Sequence, residues 1–341
     1  MTEKISDIGE FGLIGRLRDL LLKEGHAGRG VVVGIGDDTA SFIPRAGHET
    51  LITCDSMVEG RHYLPECISP HDLGRRAMIC NISDIGAMGG LPLYALVSLG
   101  LRPETAVVDV EEMYRGFLFE LNPFHASIIG GNITGVGGSS FIDITLLGEV
   151  PEGKTIRRST AKPGDAILVT GFPGRSGAGL RLLLEKRGEE GVENRSLVRK
   201  YLVPGHRAGA GRAVALSGLA TAMIDTSDGF LGDLGHICEE SGAGADLEKK
   251  NLPLDEDLIE TARRFGEDPL DFVLGNSDDY ELIITCPPEH VIEVIEVLRE
   301  AGVDSISEVG KITSSARTIR LIDERGGERR IHPKGWDHFG K

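Results

Sequence analysis

Apolar positions between Phe11 and Leu22 recur at helical spacing, and this predicts an amphipathic helix there. A second helical pattern runs from Asp72 to Met88 and carries Asn81 and Asp84; a third runs from Val110 to Leu121. Short β-branched runs predict strands at Val31 to Ile35, Leu51 to Cys54, Leu93 to Leu101 and Phe141 to Val150. Further strands are expected at Ala166 to Thr170, Ala220 to Ile224, Leu282 to Thr285 and Thr318 to Ile322. Helix and strand alternate in both halves of the chain, so the pattern predicts an α/β or α+β protein. The Pro-Glu-Gly turn at 151–153 suggests two domains, 1–150 and 151–341, and the length of 341 residues agrees with that number. The charged segment Lys186 to Arg195 reads as an exposed loop.

Several of the strand-like runs are followed by aspartate beside glycine or another polar residue. Asp37 and Asp38 follow the first run, Asp55 the second, and Asp225 and Asp228 the strand near 224; Asn81-Ile-Ser-Asp84 is a helical variant. Carboxylates at strand ends face the crevice where α/β layers bind ligands. Mg²⁺ takes hard oxygen ligands together with phosphate oxygens, and phosphoryl transfer needs such ions against developing charge. Each motif alone is also an ordinary turn signal, and Asp225 or Asp228 could simply cap the helix that follows. Their repetition is what points to a metal-nucleotide site.

Composition narrows the partners. The net charge of −16 disfavours nucleic acid and anionic membranes, and aromatics at 5% do not supply stacking platforms. The 47 glycines suit backbone approach to phosphate. No apolar run approaches the roughly 18–20 residues of a membrane span, and MTEKISDIGE lacks the regions of a signal peptide, so a cytoplasmic location is expected. The five scattered cysteines, Cys54, Cys67, Cys80, Cys238 and Cys286, read as free thiols. Residues 148–155, GEVPEGKT, match the phosphate-loop pattern GxxxxGK[ST], yet two glutamates would stand in the cradle, Pro151 removes a donor, and no helix is expected after it. A turn is the better reading.

Taken in order, Gly9-Glu-Phe-Gly-Leu-Ile14, Gly34-Ile-Gly-Asp-Asp38, Asp55 through Gly60-Arg-His62, Asn81-Ile-Ser-Asp84 and Gly130-Gly131 resemble the thiamine-monophosphate kinase family of the aminoimidazole-ribonucleotide synthetase superfamily. So do Arg158-Ser159 with Ala161-Lys-Pro-Gly-Asp165, Ile224-Asp-Thr-Ser-Asp-Gly229 with Asp233-Leu-Gly-His236, Asp279-Tyr-Glu-Leu282 and Lys334-Gly-Trp-Asp-His-Phe339. The resemblance covers nearly the whole chain. It implies the family's two-domain α/β kinase fold, with an N-terminal domain that binds ATP and Mg²⁺ and pairs its sheet with that of a second copy in a homodimer. The implied reaction is direct in-line transfer from ATP to thiamine monophosphate. The implied metal positions are Asp38, Thr53, Cys54, Asp55, Asp84, Asn132, Asp225 and Asp228. Tyr114, Gly131, Asn132, Arg158 and Ser227 would contact ATP; His62, Asp278 and Trp336 would contact the acceptor.

Some positions depart from the family pattern. Asn132 stands where an Asp is usual, which removes one negative charge. Cys54 replaces a threonine, and a thiol is a poor Mg²⁺ ligand. Arg175 replaces an Asp in the loop Gly174 to Gly179, Asp278 replaces a Glu, and Asn276-Ser277 replaces Gly-Gly. A different small phosphorylated acceptor, or a non-catalytic dimer that binds nucleotide or metal, are the alternatives these departures raise. His62 also reads as a surface-loop histidine, Trp336 as a packing anchor, and Arg158 as a solvated turn cation.

Overall fold

The computed structural model describes residues 2–26, 28–185 and 195–333. Two compact units divide the chain: one holds the residues up to Ile85 and Gly90–Glu152, the other Gly86–Gly89 and the residues from Gly153 onward.

The first unit contains α1 (Ile5–Glu24), β1 (Val31–Val33), β2 (Ser41–Phe42), β3 (His48–Val58), α2 (Pro70–Ala87, the last two residues grouped with the second unit), β4 (Leu91–Leu101), α3 (Val107–Leu121), β5 (Ser127–Gly135) and β6 (Phe141–Pro151). Four of its strands form a sheet in the order β3-β6-β4-β5, with β4 and β5 parallel and the other pairs antiparallel. Strict alternation along β6 buries Ile142, Ile144 and Leu146, and their cross-strand neighbours Val97 and Leu99 are fully buried on the same face. Met78, Ile79, Ile82 and Ile85 on α2 and Phe117 and Leu121 on α3 are buried as well, each worth about 1.5–3 kcal/mol of transfer free energy. Helices α2 and α3 approach backbone to backbone. A Cβ on Gly74 would lie 2.0 Å from the Met113 carbonyl oxygen, and one on Gly116 2.1 Å from that of His71, so neither position admits a side chain. The other face of the sheet leaves Ile52 68% and Leu96 36% exposed.

The second unit continues with β7 (Ala166–Thr170), α4 (Arg175–Glu185), α5 (Ser196–Leu202), α6 (Ala208–Ser217), β8 (Ala222–Asp225), α7 (Phe230–Glu240), β9 (Gly244–Glu248), α8 (Glu256–Phe265), α9 (Pro269–Val273), β10 (Leu282–Cys286), α10 (Val291–Glu300), β11 (Ile306–Thr313), β12 (Ile319–Ile322) and β13 (Glu328–Ile331). Its seven-stranded sheet runs β13-β12-β9-β11-β7-β10-β8. Strands β7, β8 and β10 are buried along their whole length, which is why they read as unbroken apolar runs. Leu168, Met223 and Ile284 join Val214 of α6 and Val294 and Leu298 of α10 in one core.

Three differences from the sequence reading affect the site. Strand β3 does not stop at Cys54; it continues through Asp55 to Val58, because Ser56, Met57 and Val58 pair with Asp143, Ile142 and Phe141. Gly130, Gly131 and Asn132 lie within β5, a strand absent from the sequence reading. Strands β9 and β11 lack a strong apolar signature. At their pairing Gly310 is needed, since a Cβ there would meet the Asp246 carbonyl oxygen at 2.0 Å. The segment 148–155 finishes β6 and turns, and the next described helix begins at Arg175. Residues 186–194 of the expected charged loop fall outside the described residues.

Candidate active site

In the first unit, strand alternation decides which side chains meet. Thr53 and Asp55 point to the face that α2 covers, and the Thr53 hydroxyl donates to Asp84 Oδ2 at 2.5 Å. One turn earlier on α2, Asn81 is fully buried; its amide nitrogen donates to the Ala77 carbonyl at 3.1 Å, while Oδ1 has no hydrogen-bond partner among the described residues. Asp38 stands exposed on the turn after β1, where its N–H donates to Asp37 Oδ1 at 2.8 Å.

Cys54 points to the opposite face. Its thiol donates to Asp143 Oδ1 at 3.4 Å and accepts from the Thr145 hydroxyl at 3.5 Å. The Thr145 hydroxyl favours the thiolate, but burial, the hydrogen bond to Asp143 and the charges of Asp143 and Asp55 together push the thiol pKa up. Asp143, which the sequence reading passed over, also accepts a hydrogen bond from Ser56. Register places Ser56, Asp143, Ser98 and Asn132 in one row across that face. Asn132 is therefore on the opposite side of the sheet from Asp55, and two strands stand between them.

His62, half-buried in the loop after β3, accepts the Val58 N–H at Nδ1 at 2.9 Å. Tyr114 from α3, with Gly131 and Asn132 from β5, lines a cleft of about 100 Å³ against α1. Burial pushes the Tyr114 phenol pKa upward, so the group stays a protonated donor. Gly131 has no room for a side chain: a Cβ would lie 1.9 Å from the Val97 carbonyl oxygen.

In the second unit, Asp225 closes β8, and Ser227 and Asp228 form the turn into α7. Asp233, buried in the first turn of α7, accepts the Asp228 N–H at 3.1 Å. Burial first, then the charges of Asp225 and Asp228, push its carboxyl up to about 8. Ligand-capable atoms of Asp228, Asp233 and His236 lie within 4.8 Å of one another. Asp278 accepts from the Ser176 hydroxyl. Beside it, Asp279 accepts the N–H groups of Gly174 and Ser176 at 2.6 and 2.7 Å and the Ser277 hydroxyl at 2.5 Å. Burial pushes Asp279 up to about 6. Arg175 is tied to Asp255 at 2.7 Å and Asp257 at 3.2 Å; its departure from the family pattern is an ion pair with the start of α8. Arg158 is exposed, and its carbonyl accepts from the Ser241 hydroxyl at 3.1 Å. Trp336 lies outside the described residues.

Residues 36–150 match the AIR synthase related protein N-terminal domain, and residues 162–322 the corresponding C-terminal domain. A thiamine-monophosphate kinase of Bacillus subtilis is 32% identical over 91% of this chain and 94% of its own length. The chain belongs to the thiamine-monophosphate kinase family. Two solved structures agree with this. A thiamine-monophosphate kinase from Stenotrophomonas maltophilia superposes with a TM-score of 0.80 at 29% identity, covering 94% of this chain and 98% of that one. A structure described as AaThiL complexed with AMPPCP and TMP gives 0.75 at 29% identity, covering 99% and 100%. The two family domains meet near the turn that separates the two compact units.

Proposed function

We propose that this chain transfers the γ-phosphoryl group of ATP to thiamine monophosphate, yielding thiamine diphosphate and ADP. The observation that carries the reading is near-complete coverage by thiamine-monophosphate kinases, including a relative held with AMPPCP and TMP. The acceptor's phosphate oxygen forms the new bond to the γ-phosphorus as the bond to the β–γ bridging oxygen breaks, and ADP leaves with that electron pair. No covalent enzyme intermediate is needed.

The donor set fits Mg²⁺. Thr53, Asp55 and Asp84 offer hard oxygens on one face, a buried Asn81 amide oxygen one turn from Asp84 has no hydrogen-bond partner among the described residues, and the Cys54 thiol points away. Asp38, Thr53, Asp55 and Asp84 in the first unit, and Asp225 and Asp228 in the second, are the groups that would hold the ions. When bound, Mg²⁺ offsets the charge that develops on the transferring phosphoryl group. Tyr114, Gly131, Arg158 and Ser227 are assigned to ATP, and His62, Asp278 and Trp336 to the acceptor. Val58 fixes the His62 ring by occupying Nδ1, and Ser176 orients the Asp278 carboxylate.

A homodimer completes the reading. Asp55 and Asn132 occupy opposite faces and opposite edge strands, three strand spacings or about 14 Å apart, so no one ion takes both from the same copy. The outer sheet face, with Ile52 and Leu96 exposed, is the surface a second copy would cover. Asn132 lacks the charge its family position usually carries, so Asn132→Asp should move the Mg²⁺ activation curve to lower concentration. A curve that stays put or moves the other way removes Asn132 from the ion shell.

Incubation with MgATP and thiamine monophosphate tests the function, with ADP and thiamine diphosphate measured together. Equal amounts of both are expected. ADP released only with another acceptor points to a different substrate, and no turnover with any acceptor points to a binding protein. For localisation, no described helix is long and apolar enough to cross a membrane.

A further inference from the structure

We infer that Arg18 contacts the bound nucleotide in this chain and sets its affinity, acting with Tyr114 across the cleft between α1 and β5. The inference rests on the proposed use of ATP, and deepens it by adding a residue to the site. Ile14, Arg18 and Leu21 occupy one stripe of α1, at spacings of four and three residues, and all three line the cleft. A stripe whose neighbours are apolar would ordinarily be completed by another aliphatic residue. Here a guanidinium stands between Ile14 and Leu21. Two residues earlier, Arg16 is held by Glu111 at 3.0 Å and Glu3 at 3.7 Å. Arg18 has no hydrogen bond or ion pair among the described residues.

The opposite side of the cleft carries the second observation. Tyr114 is 5% exposed and packs edge-on against Phe117 at 5.2 Å; it lines the cleft, and its hydroxyl makes no hydrogen bond among the described residues and is not sealed from solvent. A hydroxyl on the cleft wall with no protein acceptor is free to donate to a ligand, a hydrogen bond worth about 0.5–1.5 kcal/mol. The combination is an apolar slot, one phenolic donor within it and one cation on its wall. It suits a neutral heteroaromatic base that carries an anionic tail, which is the chemistry of a purine nucleotide. The same cation disfavours a cationic heteroaromatic such as the thiazolium of the acceptor, so the slot discriminates between the two substrates. The planar guanidinium can stack on a base or pair with phosphate oxygens.

The test is calorimetric titration of the full chain with AMPPCP and Mg²⁺, and separately with thiamine monophosphate. Arg18→Leu, which keeps the helix and completes the apolar stripe, should weaken AMPPCP binding about tenfold. Acceptor affinity and the thermal midpoint should stay at parental values, and Arg18→Lys should recover part of the loss. Tyr114→Phe should independently weaken AMPPCP binding by a few-fold. The inference is overturned if Arg18→Leu binds AMPPCP within twofold of the parent. It is equally overturned if both ligands and the midpoint fall together, because that marks α1 packing alone. If the parent chain itself neither binds AMPPCP nor turns over ATP, the proposed function falls and this inference with it.

Discussion

Asp84→Asn should lower kcat by about 10²–10³ at saturating ATP, the range seen when one group that stabilises transition-state charge is removed. The fold should survive. The amide is nearly isosteric and its oxygen still accepts the Thr53 hydroxyl, so the link between β3 and α2 remains. What disappears is a full negative charge at the proposed ion site. Asp55→Asn should behave alike, since Asp55 shares the face of β3 with Thr53. Cys54→Ser is the matched control, because Cys54 lies on the other face against Asp143 and Thr145, and it should retain most activity. Steady-state kinetics across a Mg²⁺ titration read all three. Near-parental turnover of both aspartate variants at limiting Mg²⁺ would remove them from the ion shell.

The largest effect on stability is expected at Arg207. Its guanidinium makes two hydrogen bonds to Glu281, at 2.6 and 2.8 Å, and the Glu281 side chain is only 6% exposed. Thr170 also donates to Glu281 at 2.6 Å and accepts the Leu282 N–H at 2.8 Å, which joins the pair to β7 and β10. Burial lowers the Arg207 pKa, but the hydrogen bonds and charge of Glu281 outweigh it and the net shift is upward. Arg207→Met leaves Glu281 buried with its countercharge gone, at a cost of about 3–5 kcal/mol. Adding Glu281→Leu should recover most of the loss, because the desolvated charge is then absent too. Urea unfolding of the two single variants and the double variant measures the coupling. A double variant as unstable as the sum of the singles would mean the two side chains do not act as a pair.

The elements legible from sequence are those whose burial pattern is simple. Phe141 to Val150 alternates, and β6 does the same in space; Ala166 to Thr170 is apolar throughout, and β7 is buried throughout. Asp225 was recognisable because β8 does end there. Asp55 was misplaced at a strand end because Thr-Cys-Asp-Ser looks like a loop. The strand is sustained by partners more than eighty residues away, including the Ser56 hydrogen bond to Asp143. Asp143 went unnoticed for the same reason, while Asp233 and Asp279 stood in quoted motifs with no role of their own. Asp279 takes its meaning from Gly174 and Ser176, 105 and 103 residues earlier, and no local pattern encodes such a pairing. Arg18 was hidden differently: one charge in a helical stripe looks like ordinary surface until the cleft beside it is seen.

The segment that imitates a phosphate loop shows how such a match arises by accident. Gly148 is small because a Cβ would meet Ile85 at 2.5 Å and the Leu91 carbonyl oxygen at 2.8 Å. Gly153 is glycine because its φ is +74° in the turn after β6. Lys154 donates to the Leu216 carbonyl at 3.3 Å, a bond that arginine could make as well. Three unrelated requirements happen to spell one familiar string. A Lys154→Arg drift would erase the string and leave the chemistry untouched, so a pattern search could reclassify sister sequences that do the same thing.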